Sequence, residues 1–125
     1  MLQNFNDMPA TLVQGDTIMF NFAVKNIEQD EEFDEIVFSV KNNYEDEDPV
    51  VESTLANTKI ARVDYDSTTK KAVYVVVGDA EDTADLIPNT YAYYDIRFRF
   101  NGSSIETMLR GRLRVLPAIS EIQGE

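Results

Sequence analysis

Five of the six arginines fall within eighteen residues, at Arg97, Arg99, Arg110, Arg112 and Arg114. Within each group they are spaced two apart, and in an extended strand that spacing puts them on one face of a sheet. A guanidinium offers a planar fork of donors that fits carboxylate or phosphate oxygens. Three uses of such a strip follow. Asp95, Glu106 and acids of adjacent strands can neutralise it within the subunit; it can dock on an acidic surface of a neighbouring copy or another protein; or it can hold phosphate or nucleic acid. Like charges directly opposite one another, about 5 Å apart, destabilise a sheet unless partnered. Counter-charge must therefore lie nearby or be brought by a partner. The runs Asp30-Glu31-Glu32 and Glu45-Asp46-Glu47-Asp48 are the candidate counterparts. Guanidinium–carboxylate pairs across such a contact fix register and partner choice more than they add affinity.

Other chemistry has little support. There is no histidine and no cysteine, which removes the usual general base, the commonest metal ligand, thiolate nucleophiles and disulfides. Ser39, Ser53, Ser67, Ser103 and Ser104 have no histidine to activate them. No phosphate loop, dinucleotide fingerprint or nucleophile elbow occurs. Paired carboxylates suited to glycoside hydrolysis are always available in so acidic a chain, so their presence carries little information. Clustered acids invite calcium, but here they come in unspaced blocks without the turn glycine of a helix–loop–helix site, so solvated loops are expected. The chain reads as a non-enzyme with no cofactor and no metal. Tyr91, Tyr93 and Tyr94 suit either a sugar-stacking platform or the core edge, one of them as a tyrosine corner bonding backbone near residues 86–89.

The 125 residues carry a formal net charge of -12, which opposes nonspecific binding to nucleic acid or anionic lipid. Their length suits one domain, and 43% hydrophobic content is ordinary for a folded protein. No apolar run is long enough for a membrane span, and the first residues lack the pattern of a signal peptide. Synthesis in the cytoplasm is the expectation.

The arginines need a long hairpin to position them. Tyr94, Ile96, Phe98 and Phe100 alternate with Tyr93, Asp95, Arg97 and Arg99. Beyond Asn101-Gly102-Ser103-Ser104, the residues Ile105, Thr107, Leu109, Gly111, Leu113 and Val115 alternate with Glu106, Met108, Arg110, Arg112 and Arg114. Each arm thus has an apolar and a charged face, and Asn-Gly suits a primed turn with positive φ at both central residues. Upstream, alternation predicts a half-buried strand over 18–25 and another over 36–41. Shorter strands are expected at 11–13, at 50–55 on an edge, and at 59–65. Residues 72–77 are apolar on both faces, as in a central strand whose second face is covered. Acid-rich 26–35, with Phe33 its one aromatic residue, reads as a solvated loop. Residues 79–86 predict a helical turn or two, capped by Asp79, with Ala80, Ala84 and Leu86 turned inward and Pro88 ending it. The fold class is all-β, with an immunoglobulin-like antiparallel β-sandwich of about seven strands over 10–117. Residues 1–9 form an arm and 118–125 a tail.

Gly15-Asp16-Thr17 opens an aromatic strand; Val37-Phe38-Ser39-Val40-Lys41-Asn42 precedes an acidic loop. Asp82-Thr83-Ala84-Asp85-Leu86, Pro88-Asn89-Thr90-Tyr91-Ala92-Tyr93-Tyr94-Asp95-Ile96 and Leu109-Arg110-Gly111-Arg112-Leu113-Arg114-Val115 follow in order. This order resembles small immunoglobulin-like domains from phages and prophages of Gram-positive bacteria, found in tail tip and baseplate proteins, including baseplate upper proteins. The resemblance covers roughly residues 10–117. It implies a structural, non-catalytic module, with other tail proteins or further copies of itself as partners, made in the host cytoplasm and carried in the virion. It brings no catalytic residues. The larger tail proteins continue into receptor-binding or trimerising segments, whereas this chain stops after Glu125, leaving a free-standing subunit and an excised domain both open. A carbohydrate- or surface-receptor-binding β-sandwich is the alternative, and a bacterial immunoglobulin-like domain unrelated to phage is a third class.

Overall fold

The computed structural model describes residues 2–6 and 8–120. In chain order the strands are β1 (Leu2–Asn6), β2 (Thr11–Val13), β3 (Ile18–Lys25), β4 (Phe33–Lys41), β5 (Val51–Thr54), β6 (Ile60–Asp66), β7 (Lys71–Gly78), β8 (Thr90–Phe100) and β9 (Glu106–Leu116), with one helical turn, α1 (Ala80–Thr83). They form a four-stranded sheet of order β1-β3-β7-β6 and a five-stranded sheet of order β2-β9-β8-β4-β5. All neighbours are antiparallel except β2, which runs parallel to β9. The molecule is mostly β, and its strands number nine among the described residues rather than about seven.

The two sheets share one core because side chains two apart along a strand point to the same side, and one side of each sheet is apolar. Phe20, Phe22 and Val24 of β3 and Tyr74 and Val76 of β7 are buried, as are Ile36, Phe38 and Val40 of β4 and Ile96 and Phe98 of β8. Contact between the sheets is aromatic: Phe20 meets Phe38 edge-on at 5.2 Å and Phe33 meets Tyr74 edge-on at 5.6 Å. Edge-to-face geometry sets the positive rim of one ring against the negative face of the other.

The hairpin forms where alternation places it. Asn101 and Gly102 have φ of 53° and 71°, and the Ser103 amide donates to the Phe100 carbonyl at 3.0 Å, closing the turn. One feature breaks the strict alternation. Opposite Ile96–Arg97 the partner steps from Leu109 to Thr107, a β-bulge that leaves Met108 as the extra residue. Beyond it the faces exchange: Thr107 stands opposite Arg97 on the charged side, Glu106 stands opposite Phe98, and Met108 packs against the core. The expectation that Ile105 and Thr107 face inward is therefore corrected, and Ile105 is 54% exposed.

Other expectations are corrected by packing. Residues 2–6, read as part of an arm, pair with Asn21 to Lys25 of β3, while Met1 and Asp7 lie outside the described residues. The acidic segment 26–35 is anchored at both ends by buried Ile27 and Phe33. Arg62 donates to the carbonyls of Gln29 and Glu31 within it. The second face of β7 is the outer face of the smaller sheet, where Val73, Val75 and Val77 are half-buried beside exposed Met19, not a covered one. Asp79 occupies the helix N-cap position, but its carboxylate pairs with Lys59 and makes no capping bond. Buried Thr83, not Ala84, turns inward there, donating to the Asp16 carbonyl at 2.7 Å. Of the predicted tail, residues 118–120 lie outside any strand and 121–125 lie outside the described residues.

Candidate functional site

The outward residues of β4, β8 and β9 build one surface on the five-stranded sheet. Cross-strand partners share a face, so register gives its rungs directly. They run Glu35–Arg99, Val37–Arg97–Thr107, Ser39–Asp95–Arg110, Lys41–Tyr93–Arg112 and Tyr91–Arg114. Arg97, Arg99, Arg110, Arg112 and Arg114 thus occupy one face, as their spacing predicts. Exposed Arg110, Arg112 and Arg114 line the β9 side of it.

Intramolecular neutralisation reaches one of the five. Arg99 lies 3.8 Å from Asp34 and 3.6 Å from Glu35. Among the described residues no carboxylate comes within ion-pair distance, 4.0 Å, of Arg97, Arg110, Arg112 or Arg114. Asp95 stands beside Arg110 in the ladder without closing such a pair, and Glu106 is removed from the arginine rungs by the bulge. Arg112 instead lays its guanidinium over the Tyr91 ring, 4.2 Å from the centroid, an arrangement that holds the fork in place while its donors remain available.

The acidic loop borders the same face from the other side. Residues 42–50 connect β4 to the edge strand β5, with Glu45, Glu47 and Asp48 exposed. Asp46 is used locally: its carboxylate accepts from the Asn43 amide at 3.0 Å, and its carbonyl accepts from Lys41 Nζ at 2.6 Å. Tyr44, carried by this loop, stacks on Tyr93 at 4.0 Å between centroids. The surface therefore carries arginine on β9 and at one end of β8, tyrosine at the other end of β8 and Lys41 on β4, with the acidic loop following β4. The Asp30-Glu31-Glu32 run belongs instead to the connection that packs against Arg62 and the smaller sheet.

The three tyrosines of β8 separate. Tyr91 and Tyr93 face outward, whereas Tyr94 packs against the core, where burial raises its phenol above the ordinary tyrosine value. Its ring lies over Gly111, the one β9 residue small enough to admit it: a Cβ there would meet the Tyr94 hydroxyl at 2.8 Å. Among the described residues no tyrosine hydroxyl reaches the backbone of 86–89, so the expected tyrosine corner is replaced. Gln14 donates to the carbonyls of Ala84 and Leu86, at 2.8 and 3.1 Å, and the Asn42 side-chain oxygen accepts from the Ile87 amide at 3.0 Å.

Two shallow hollows open on the face. One, of about 230 Å³, is bordered by Lys41, Tyr44, Tyr93, Asp95 and Arg110; the other, of about 290 Å³, by Val37, Arg97, Arg99 and Ile105. Sequence reasoning missed Lys41, Tyr44 and Ile105 as members of this surface. Tyr44 and Ile105 lie outside any strand, so no periodicity marks them, and only the fold brings them to β8. Among the described residues, no group of three or more acidic side chains converges as metal ligands would, and no helix is long and apolar enough to cross a membrane. The chain matches no known family model and no curated protein.

Proposed function

We propose that this chain is a non-catalytic interaction module that docks another protein surface through the outer face of its five-stranded sheet. The observation that carries the reading is the set of four arginines, Arg97, Arg110, Arg112 and Arg114, displayed together with no acidic partner within 4.0 Å among the described residues, on a molecule of net charge -12. An exposed like-charged strip costs stability on its own and becomes favourable when a partner supplies carboxylates. Tyrosine and arginine are also the side chains that carry most binding energy in protein interfaces. The architecture we propose is an immunoglobulin-like sandwich. Strand order supports it: read as A, A′, B, C, C′, D, E, F and G, the strands give sheets A-B-E-D and A′-G-F-C-C′. The setting we propose is a phage or prophage tail or baseplate, as the resemblance over 10–117 implies.

The test is binding, by titration calorimetry, to the proteins encoded on either side of this gene. Tail, tape-measure or baseplate genes as neighbours support the setting. Association that weakens with salt and is lost in Arg112→Glu supports the docking face; indifference to that substitution with every neighbour refutes it. Glycan binding is the second reading, favoured by the hollow beside Tyr44 and Tyr93. It ranks lower because Tyr44 and Tyr93 cover each other and Arg112 covers Tyr91, so ring faces a sugar would stack on are occupied. Glycan binding lost in Tyr93→Ala would reverse that order.

A further inference from the structure

The two hollows on the docking face join into one groove, for both are bordered by Ser39, Lys41 and Asp95. Strand register places Glu35–Arg99 and Val37–Arg97 toward one end, Ser39–Asp95 at the middle and Lys41–Tyr93 toward the other end. From Glu35 to Lys41 an extended strand covers about 20 Å. Ser39 is the smallest outward side chain of β4 on that stretch, and it leaves the groove open at its waist. The two ends differ in chemistry. Val37, Phe98 and Ile105 border the first hollow, and Ile105 is 54% exposed. Arg110 borders the second, with no carboxylate within 4.0 Å among the described residues. Around the whole groove stand four cations, Lys41, Arg97, Arg99 and Arg110, against two carboxylates, Glu35 and Asp95. The local surplus is positive on a molecule of net charge -12. An acidic segment is therefore drawn to this groove and repelled by the molecule at large.

We infer that the groove takes one extended, acidic segment of a partner protein, with an aliphatic side chain in the Val37–Ile105 hollow and a carboxylate on Arg110. The inference rests on the docking reading above and names the partner's chemistry. Spacing supports it. The Val37–Arg97 and Ser39–Asp95–Arg110 rungs follow one another on the face, two residues apart along the strands. In an extended segment, side chains two apart point the same way and stand about 7 Å from each other. An aliphatic residue and an acidic residue separated by one position thus reach the two rungs together, in either chain direction. An apolar anchor in a concavity with arginine at its rim is also the usual anatomy of a protein contact. Asp95 shares the second rung with Arg110 and opposes the incoming carboxylate, so its charge weakens the contact.

A display library of random dodecapeptides tests this. Selection on the wild type should enrich an aliphatic and an acidic residue separated by one position. A synthetic peptide carrying that pair should bind, by fluorescence polarisation, with a Kd below about 1 mM. Serine in place of its aliphatic residue should weaken binding about 10- to 100-fold. On the protein, Arg110→Gln should weaken it about tenfold and Ile105→Ser about fivefold. Asp95→Asn, which removes the like charge, should tighten it about two- to fivefold. Met19→Glu on the opposite sheet should leave it unchanged, and melting curves verify the fold of each variant. No enrichment, enrichment of basic or uncharged peptides, or binding indifferent to both Arg110→Gln and Ile105→Ser overturns the inference. So does a wild type that self-associates through this face and takes up no peptide. Acidic peptides without an aliphatic residue, lost in Arg112→Glu but kept in Ile105→Ser, sink the groove alone and leave the docking reading in place. Peptides indifferent to every arginine of the face sink both.

Discussion

Gly111→Ala tests the geometry that seats Tyr94 between the core and the candidate face. Only a hydrogen separates the glycine from the ring; an added Cβ would stand 2.8 Å from the hydroxyl oxygen and 3.0 Å from Cζ. Both approaches are closer than ordinary van der Waals contact, so the ring must move. Tyr94 cannot drop deeper, because Phe38 fills the space below it at 6.2 Å between centroids and is itself fully buried. Overpacking of this kind costs about 1–3 kcal/mol. Alanine offsets about 0.5–1 kcal/mol of that by restricting the unfolded chain and strand backbone. A net loss of about 1.5 kcal/mol follows. For a 125-residue domain the unfolding entropy is about 0.26 kcal/mol/K, so the midpoint should fall by about 6 °C. Tyr94→Phe supplies the second arm of a double-mutant cycle. Its hydroxyl makes no hydrogen bond with the described residues, so the single change should be nearly neutral, within about 0.5 kcal/mol. Placed in the Gly111→Ala background it removes the closest clash and should recover about half the loss, a coupling of about 0.7 kcal/mol. Calorimetric melting of the four proteins measures the cycle. A Gly111→Ala variant as stable as wild type, or effects that simply add, would refute the close approach.

Three further outcomes are expected. Ser53→Ala removes a buried hydroxyl that donates to the Val77 carbonyl at 2.5 Å, one of the few polar ties between the sheets; urea unfolding should show a loss of about 1–2 kcal/mol. Gln14→Ala deletes the side chain held by the Ala84 and Leu86 carbonyls, and amide exchange should quicken across 84–90 before anywhere else. Tyr74 and Tyr94 have phenol values raised chiefly by burial. A raised folded value favours the neutral form in the folded state, so its contribution is complete below the ordinary tyrosine value of about 10 and is lost as pH rises through the folded values. Melting temperature should therefore fall steeply above about pH 10, with ultraviolet titration showing late phenolate formation that Tyr74→Phe reduces.

Much of the fold was legible because a buried sheet face imposes a period of two on local sequence. Ile18 to Val24, Ile36 to Val40 and the arms of β8 and β9 carry that period, and the Asn101-Gly102 turn announces its own backbone angles. Single-residue departures were not legible. The extra residue at Met108 leaves no local mark, since a bulge is a mismatch between two paired strands and shows only in their register. The same holds for Leu2–Asn6, whose pairing depends on the open edge of β3 rather than on any pattern of its own.

The sequence by itself determined that Arg97, Arg99, Arg110, Arg112 and Arg114 share a face, because spacing along a strand fixes facing before any partner strand is known. It also determined the chain's acidity and the absence of histidine and cysteine, which narrow the available chemistry. Only the tertiary structure decided which charges meet. Asp95 and Glu106 looked like natural counter-ions by proximity in the chain, yet the pair within reach comes from Asp34 and Glu35 on Arg99, through the pairing of β4 with β8. Tyr44 reached Tyr93, and the acidic loop reached the edge of the arginine face, by the same pairing. Coulomb attraction and ring contact act across a few ångströms of space, and distance along a chain does not set distance in space until the sheets have assembled.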